Sequence, residues 1–139
     1  MDKYKVILVD DEAEVIDVIE QKIAWNELGF EVVGSATNGV KALELVEKTQ
    51  PDVVITDIKM PYMDGLELSK RLNDDYRNIH IIIFTGFDEF EYAKEAVHLE
   101  VEEYMLKPIN SDELTECLKR VKNSLDLERE EKLNVQKLE

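Results

Sequence analysis

Val53-Val54-Ile55-Thr56-Asp57-Ile58-Lys59-Met60-Pro61 is followed closely by Asp64-Gly65. The stretch opens as a short apolar, β-branched run, the pattern of a strand covered on both faces. It ends on one carboxylate, Asp57, and then on proline and glycine, which turn the chain into a loop. The same plan recurs elsewhere. Val6-Ile7-Leu8-Val9 runs into Asp10, Asp11 and Glu12, Ile81-Ile82-Ile83-Phe84 into Thr85, and Val101 to Leu106 into Lys107-Pro108.

Working outward, β-branched runs lie near residues 4–9, 30–36, 52–57, 79–85 and 101–106. Amphipathic stretches lie near 13–25, 38–49, 65–73 and 88–98, with a last one from 111. Alternation of this kind predicts an α/β fold with a parallel sheet. In an open parallel sheet the carboxyl ends of the strands share one edge, where such folds place their ligands.

Several boundaries have local causes. Asn38-Gly39 opens the second helical stretch, and Gln50-Pro51 closes it because a residue before proline avoids the helical region. Asp64-Gly65 precedes the third. Asn110 or Ser111 caps the last, with Asp112 and Glu113 in its first turn. There Leu114, Leu118, Val121 and Leu125 repeat at 4-3-4 spacing, until Glu128 and Lys132 take the next positions of the seam. From Asp126 on the chain is mostly charged, and a helical extension, a linker and a frayed tail are all open readings.

A chain of 139 residues predicts one domain. It buries about two-thirds of its unfolded surface, enough to fold without a disulfide or structural metal. Cys117, the single cysteine, falls in the apolar stripe of the last helix and reads as core. Lys and Arg total 17 against 32 Asp and Glu, a formal net charge of −15. That charge argues against binding nucleic acid through a basic face, and against anionic membrane surfaces. No apolar run reaches transmembrane length and no signal peptide is visible, so a soluble, cytoplasmic protein is expected. His80 and His98 stand in no metal-like spacing.

The strand ends supply a coherent chemistry. A carboxylate such as Asp57 can attack phosphorus and form an acyl phosphate. The attack brings anion to anion, so positive charge is needed, and magnesium supplies it through oxygen ligands. Asp10 and Asp11 are placed to hold that ion. Lys107 can pair with the carboxylate and then with a phosphoryl oxygen, Thr85 can donate a hydrogen bond, and Gly86 leaves room. Each residue alone has a plainer reading: Asp10, Asp11 and Asp57 as turn or helix caps, Thr85 as a strand residue, Lys107 as surface charge. Their joint occurrence, each after its own strand, favours the functional reading.

Val9-Asp10-Asp11-Glu12, Thr56-Asp57-Ile58-Lys59-Met60-Pro61 with Asp64-Gly65, Thr85-Gly86 and Tyr104 through Lys107-Pro108 resemble the receiver domain of bacterial two-component response regulators. The resemblance covers nearly all of residues 3–122. It implies a flavodoxin-like, doubly wound sheet of five parallel strands in the order 2-1-3-4-5 with five helices. It implies Asp57 as phosphoacceptor, with Mg2+ held by Asp10, Asp11, Asp57 and the Lys59 backbone carbonyl. Thr85 and Lys107 would contact the phosphoryl group, Thr85 and Tyr104 would form the switch, and Lys107-Pro108 would be cis. The implied donor is a sensor histidine kinase, and the chain would accept a phosphoryl group rather than act as an enzyme.

The implied output is a change on the face built by the 88–98 helix, including Lys94 and His98, the fifth strand and the last helix. That face could pair two receivers as a phosphorylation-dependent homodimer. Ala24-Trp25-Asn26-Glu27-Leu28-Gly29-Phe30 and Phe84 through Ala93 look like regulators whose receiver precedes an AraC-type DNA-binding domain. Trp25 has a plain alternative as packing at the end of the first helix. On this resemblance residues 1–124 form the receiver and 125–139 a charged extension toward an output domain that the chain lacks. This fragment would not bind DNA, whereas a full-length protein would regulate transcription.

Two rival readings stand beside this one. A haloacid-dehalogenase-type phosphohydrolase would use Asp10, but its pattern requires Asp-x-Asp where this chain has Asp10-Asp11-Glu12. A pseudo-receiver would share the fold and serve only for interaction.

Overall fold

The structure is a computed structural model and describes residues 3–76, 78–86 and 101–138. Strands β1 (Tyr4–Val9), β2 (Phe30–Ala36), β3 (Val53–Asp57), β4 (His80–Thr85) and β5 (Glu103–Leu106) pair in parallel in the order β2-β1-β3-β4-β5. This is the order implied above, and it sets β1 beside β3 at the middle of the sheet, where their carboxylate-bearing ends meet.

Alternation along each strand sorts the core into two layers. Val6, Leu8, Ile55 and Phe84 pack on one face with Ile16, Leu118 and their neighbours. Ile7, Val9, Val54 and Ile83 pack on the other with Ala42, Val46, Leu68 and Leu72. Burial on both faces explains why the central strands are apolar throughout.

The described helices are α1 (Ala13–Lys22), α2 (Trp25–Leu28), α3 (Gly39–Thr49), α4 (Gly65–Asp75) and α5 (Ser111–Leu138). The helix expected over 88–98 lies outside the described residues. The stretch expected as one helix over 13–25 is divided. Ile23 is extended, and Trp25 starts the short α2, which Gly29 closes at φ +90°. The buried Trp25 ring lies in the core, and its Nε1–H donates to the Glu20 carbonyl at 3.1 Å, one of the carbonyls that a helix end leaves unpaired.

Side-chain caps sit where the sequence places them. Asn38, Asp64 and Asn110 each accept a backbone N–H, from Lys41, Glu67 and Glu113 respectively. Gln50 ends α3 in the left-handed region, at φ +49°.

Leu114, Cys117, Leu118, Val121 and Leu125 of α5 are buried, as their spacing requires. The seam stops at Asp126 because the helix there meets polar groups on the amino-terminal edge of the sheet. Tyr4 Oη donates to Asp126 Oδ1 at 2.5 Å, and the Arg129 guanidinium lies 4.7 Å from the Tyr4 ring centroid. His80 sits between Glu102 and Glu128, its Nε2 at 3.1 Å from Glu128 Oε1. From Asp126 to Arg129 the charged segment is therefore helix that packs through polar contacts, and residues 130–134 continue the helix exposed. Among the described residues no helix is long and apolar enough to cross a membrane.

Candidate functional site

Three strand ends build the site. Asp10 follows β1, and its N–H donates to the Ala36 carbonyl at 3.1 Å, holding it in line with β2. Its Oδ1 accepts the Glu12 N–H at 2.9 Å, which ties the carboxylate to the start of α1. Asp57 is the last residue of β3, paired with Phe84 of β4. Its Oδ1 accepts the N–H of its own successor, Ile58, at 2.8 Å. Lys107 follows β5, and its N–H donates to the Thr85 carbonyl at 2.8 Å. The Lys107-Pro108 peptide bond is cis.

Lys107 Nζ donates to Asp10 Oδ2 at 3.0 Å and to Asp57 Oδ2 at 3.1 Å. One ammonium thus joins two buried carboxylates. Asp11 is exposed, and one oxygen from each of Asp10, Asp11 and Asp57 lies within 4.8 Å of the others. Three carboxylates face one lysine, so the cluster keeps an excess of negative charge.

The local electrostatics follow. Burial, reinforced by the charge of Asp10, pushes the Asp57 carboxyl above the usual carboxylate range, against the opposing pull of Lys107 and the Ile58 N–H. Burial works to lower the Lys107 ammonium, but its hydrogen bonds and charge pairing with Asp10 and Asp57 outweigh it and hold the group above its ordinary value.

Thr85 is fully buried at the end of β4, and among the described residues its Oγ1 reaches only the Gly86 carbonyl, at 3.4 Å. A bond that long leaves the hydroxyl weakly held. Lys59 is exposed in the turn after β3. Tyr104 sits on β5 opposite Ile83 and packs against the second core layer. Its hydroxyl is buried with no hydrogen-bond partner among the described residues, and burial raises its pKa. Lys94, His98 and residues 87–93 lie outside the described residues.

The structure thus brings together Asp10, Asp11, Asp57 and Lys107. Two features were not foreseen. Lys107 pairs with Asp10 as well as Asp57, a contact between residues 97 apart. Gly65 is also closer to the site than its place in a turn suggested. Its N–H donates to the Ile58 carbonyl at 2.7 Å, and a Cβ added there would stand 2.0 Å from the Asp57 carbonyl oxygen. Only glycine lets α4 begin this close to the strand end that carries Asp57. The Asp64-Gly65 pair was its sequence signal.

Comparison with known proteins shows the family and the fold. The family model described as response regulator receiver domain matches residues 6–119. The transcriptional regulatory protein YesN of Bacillus subtilis, itself described as uncharacterized, is 43% identical over 118 residues, which are 85% of this chain and 32% of that protein. The transcriptional regulatory protein HptR of Staphylococcus aureus is 37% identical over 123 residues, 88% of this chain and 48% of that protein. The chain therefore spans a third to a half of these relatives. Among solved structures, the REC domain of AraT, a response regulator from Geobacillus stearothermophilus, superposes with a TM-score of 0.86 at 44% identity, covering 91% of this chain and 98% of that one. A two component transcriptional regulator AraC from Clostridium phytofermentans gives 0.84 at 30% identity, with the same coverage. The matched span holds every residue of the cluster, and the chain belongs to the response regulator receiver domain family.

Proposed function

We propose that Asp57 accepts a phosphoryl group from a sensor histidine kinase and that the modified chain passes the signal on through a change of shape. The observation that carries this reading is Lys107 joined to both Asp10 and Asp57 at 3.0 and 3.1 Å. A buried carboxylate beside a fixed ammonium is poised for attack on phosphorus and protected from stray chemistry. In the transfer an Asp57 carboxylate oxygen forms the new O–P bond. The P–N bond to the donor imidazole breaks, and the imidazole leaves with the electron pair and takes a proton from water. Lys107 then stays with a phosphoryl oxygen, and the weakly held Thr85 hydroxyl turns to donate to another.

The clustered oxygen donors of Asp10, Asp11 and Asp57 suit a hard divalent cation such as Mg2+. With the Lys59 backbone carbonyl they would hold it. When bound, the ion supplies the positive charge that lets one anion approach another.

Capture of the Thr85 hydroxyl draws it toward Asp57 and frees space for the Tyr104 ring, whose hydroxyl has no described partner. The surface around β5, α5 and the 88–98 stretch changes with it, and two receivers pair there as a homodimer. Residues 1–124 act as the receiver unit, and 125–139 extend it toward an output domain. The relatives above are named as transcriptional regulators, so the reading for a full-length protein is a cytoplasmic regulator with an AraC-type DNA-binding domain. At a net charge of −15 this fragment does not bind DNA itself.

Intact-mass measurement after incubation with acetyl phosphate and magnesium tests the reading. Wild type gains one phosphoryl group, Asp57→Asn gains none, and Asp11→Ala needs more magnesium for the same yield. Equal labelling of wild type and Asp57→Asn would refute the site. Rapid multiple turnover would mark a phosphohydrolase instead.

A further inference from the structure

The loop between β3 and α4 is pinched at its neck by the Gly65 N–H bond to the Ile58 carbonyl, at 2.7 Å. Asp57 lies at that neck, buried with 7% of its surface exposed. Within the loop the Met63 N–H donates to the Pro61 carbonyl at 2.8 Å, and Tyr62 between them stands at φ +68°. That left-handed backbone favours glycine, and an aromatic residue is out of place there. Tyr62 is also 91% exposed, and among the described residues its side chain makes no hydrogen bond, ion pair or ring contact. The turn gains the Met63–Pro61 backbone bond, but the Tyr62 side chain adds no polar or ring contact among the described residues.

The loop is nevertheless seated firmly. A Cβ added at Gly39 would meet Met63 Cγ at 2.7 Å and the Met63 carbonyl oxygen at 2.8 Å. Met63 therefore rests on the first residue of α3. The next residue, Val40, leaves 45% of its surface exposed. Met63 thus ties the Tyr62 turn to the start of α3. Strained residues that the fold does not need mark functional positions, and exposed aromatic anchors are a residue class that protein interfaces use.

We propose that Tyr62 is a docking contact for the phosphohistidine-bearing protein that delivers the phosphoryl group to Asp57. This rests on the reading of Asp57 as acceptor. Asp57 is recessed at the base of the loop, so a donor imidazole reaches it only if the protein carrying it covers the loop's rim. A small phosphodonor needs no such cover, which separates the two sources of phosphoryl group.

The test measures phosphoryl transfer to wild type, Tyr62→Gly and Tyr62→Ser from two donors. One is acetyl phosphate. The other is the phosphorylated cytoplasmic region of whichever sensor kinase, from a panel, phosphorylates the wild type fastest. Glycine accepts the left-handed backbone, so Tyr62→Gly unfolds at the same or a higher temperature. The expected result is a fall of roughly ten-fold or more in kcat/KM for the kinase donor, the loss of one interface anchor. The acetyl phosphate rate stays within about two-fold, because Tyr62 makes no contact with the cluster. Unchanged transfer from the kinase overturns the proposal. So does an equal loss with both donors, or a change confined to self-association in sedimentation, which would assign the rim to a second copy of the chain. A wild type labelled by acetyl phosphate but by no kinase would overturn the choice of partner. A wild type labelled at no residue by either donor would instead defeat the reading of Asp57.

Discussion

Asp57→Asn removes one charge from a cluster of three carboxylates and one lysine, and the chain should become more stable for it. At an effective dielectric of about 20, unit charges 4.8 Å apart interact by about 3.5 kcal/mol. Asp10 repels Asp57 on this scale, and the exposed, better screened Asp11 adds a smaller amount. Lys107, at 3.1 Å, attracts Asp57 by about 5 kcal/mol on the same footing. The two effects nearly cancel, so burial decides, and burial favours the neutral side chain. Asparagine keeps one oxygen for the Ile58 N–H that Asp57 Oδ1 accepts, and Lys107, which loses Asp57 Oδ2, retains its bond to Asp10. The expected gain at pH 7 without divalent ions is about 1–2 kcal/mol, or roughly 3–10 °C in Tm. Trp25 is buried and is the only tryptophan, so its fluorescence follows unfolding in urea.

The pH dependence has a fixed sign. The folded state raises the Asp57 pKa above 3.8, so the fold binds this proton more tightly than the unfolded chain does. The stabilising contribution of the protonated group is complete below that ordinary value and is lost as pH rises through the folded pKa. The advantage of Asp57→Asn over wild type is therefore largest at neutral pH and shrinks on acidification. A variant less stable than wild type by 1 kcal/mol or more at pH 7 would mean that Lys107 outweighs burial and repulsion together, and would refute the reasoning.

Gly65→Ala should cost about 2–4 kcal/mol, because its Cβ would stand 2.0 Å from a backbone oxygen that cannot swing away. Urea denaturation measures the loss, and a cost under 0.5 kcal/mol would show that the approach of α4 is looser than described. Tyr4→Phe should lower stability at pH 7 by about 1 kcal/mol, allowing for solvent screening of the Tyr4–Asp126 bond. Burial and that bond raise the Tyr4 pKa from 10.0 to about 12, so its contribution is full below pH 10 and lost as pH rises through 12. The gap between wild type and Tyr4→Phe should close over that window, and a constant gap would count against the assignment.

Much of this molecule was legible in its sequence, and the parts that were not share a cause. The strands declared themselves because Val6 to Val9, Val53 to Ile55 and Ile81 to Phe84 are apolar at every position, which only burial on both faces requires. Asp10, Asp57, Thr85 and Lys107 followed from the strand ends, since a parallel sheet aligns those ends whatever the loops do. The break at Ile23 was hidden because Ile23 and Trp25 continue the apolar pattern of α1. What ends the helix is Trp25 folding back to the Glu20 carbonyl, a three-dimensional closure that periodicity does not encode.

The same holds at both edges of the sheet. Asp126, Glu128 and Arg129 looked like a failing seam because their partners, Tyr4 and His80, are 122 residues from Asp126 and 48 from Glu128. At the opposite edge, Tyr62 looked like an ordinary loop residue, because side-chain type says nothing about a backbone forced to φ +68° by the bonds that pinch its loop. Local pattern thus places a carboxylate at a strand end, but long-range contacts decide what surrounds it. The proposed acceptor chemistry rests on Asp57 and its strand-end neighbours. What crowds the strand end that carries Asp57, and what the far end of α5 packs against, depends on Gly65, Tyr4 and His80, whose contacts appear only when the elements are packed together.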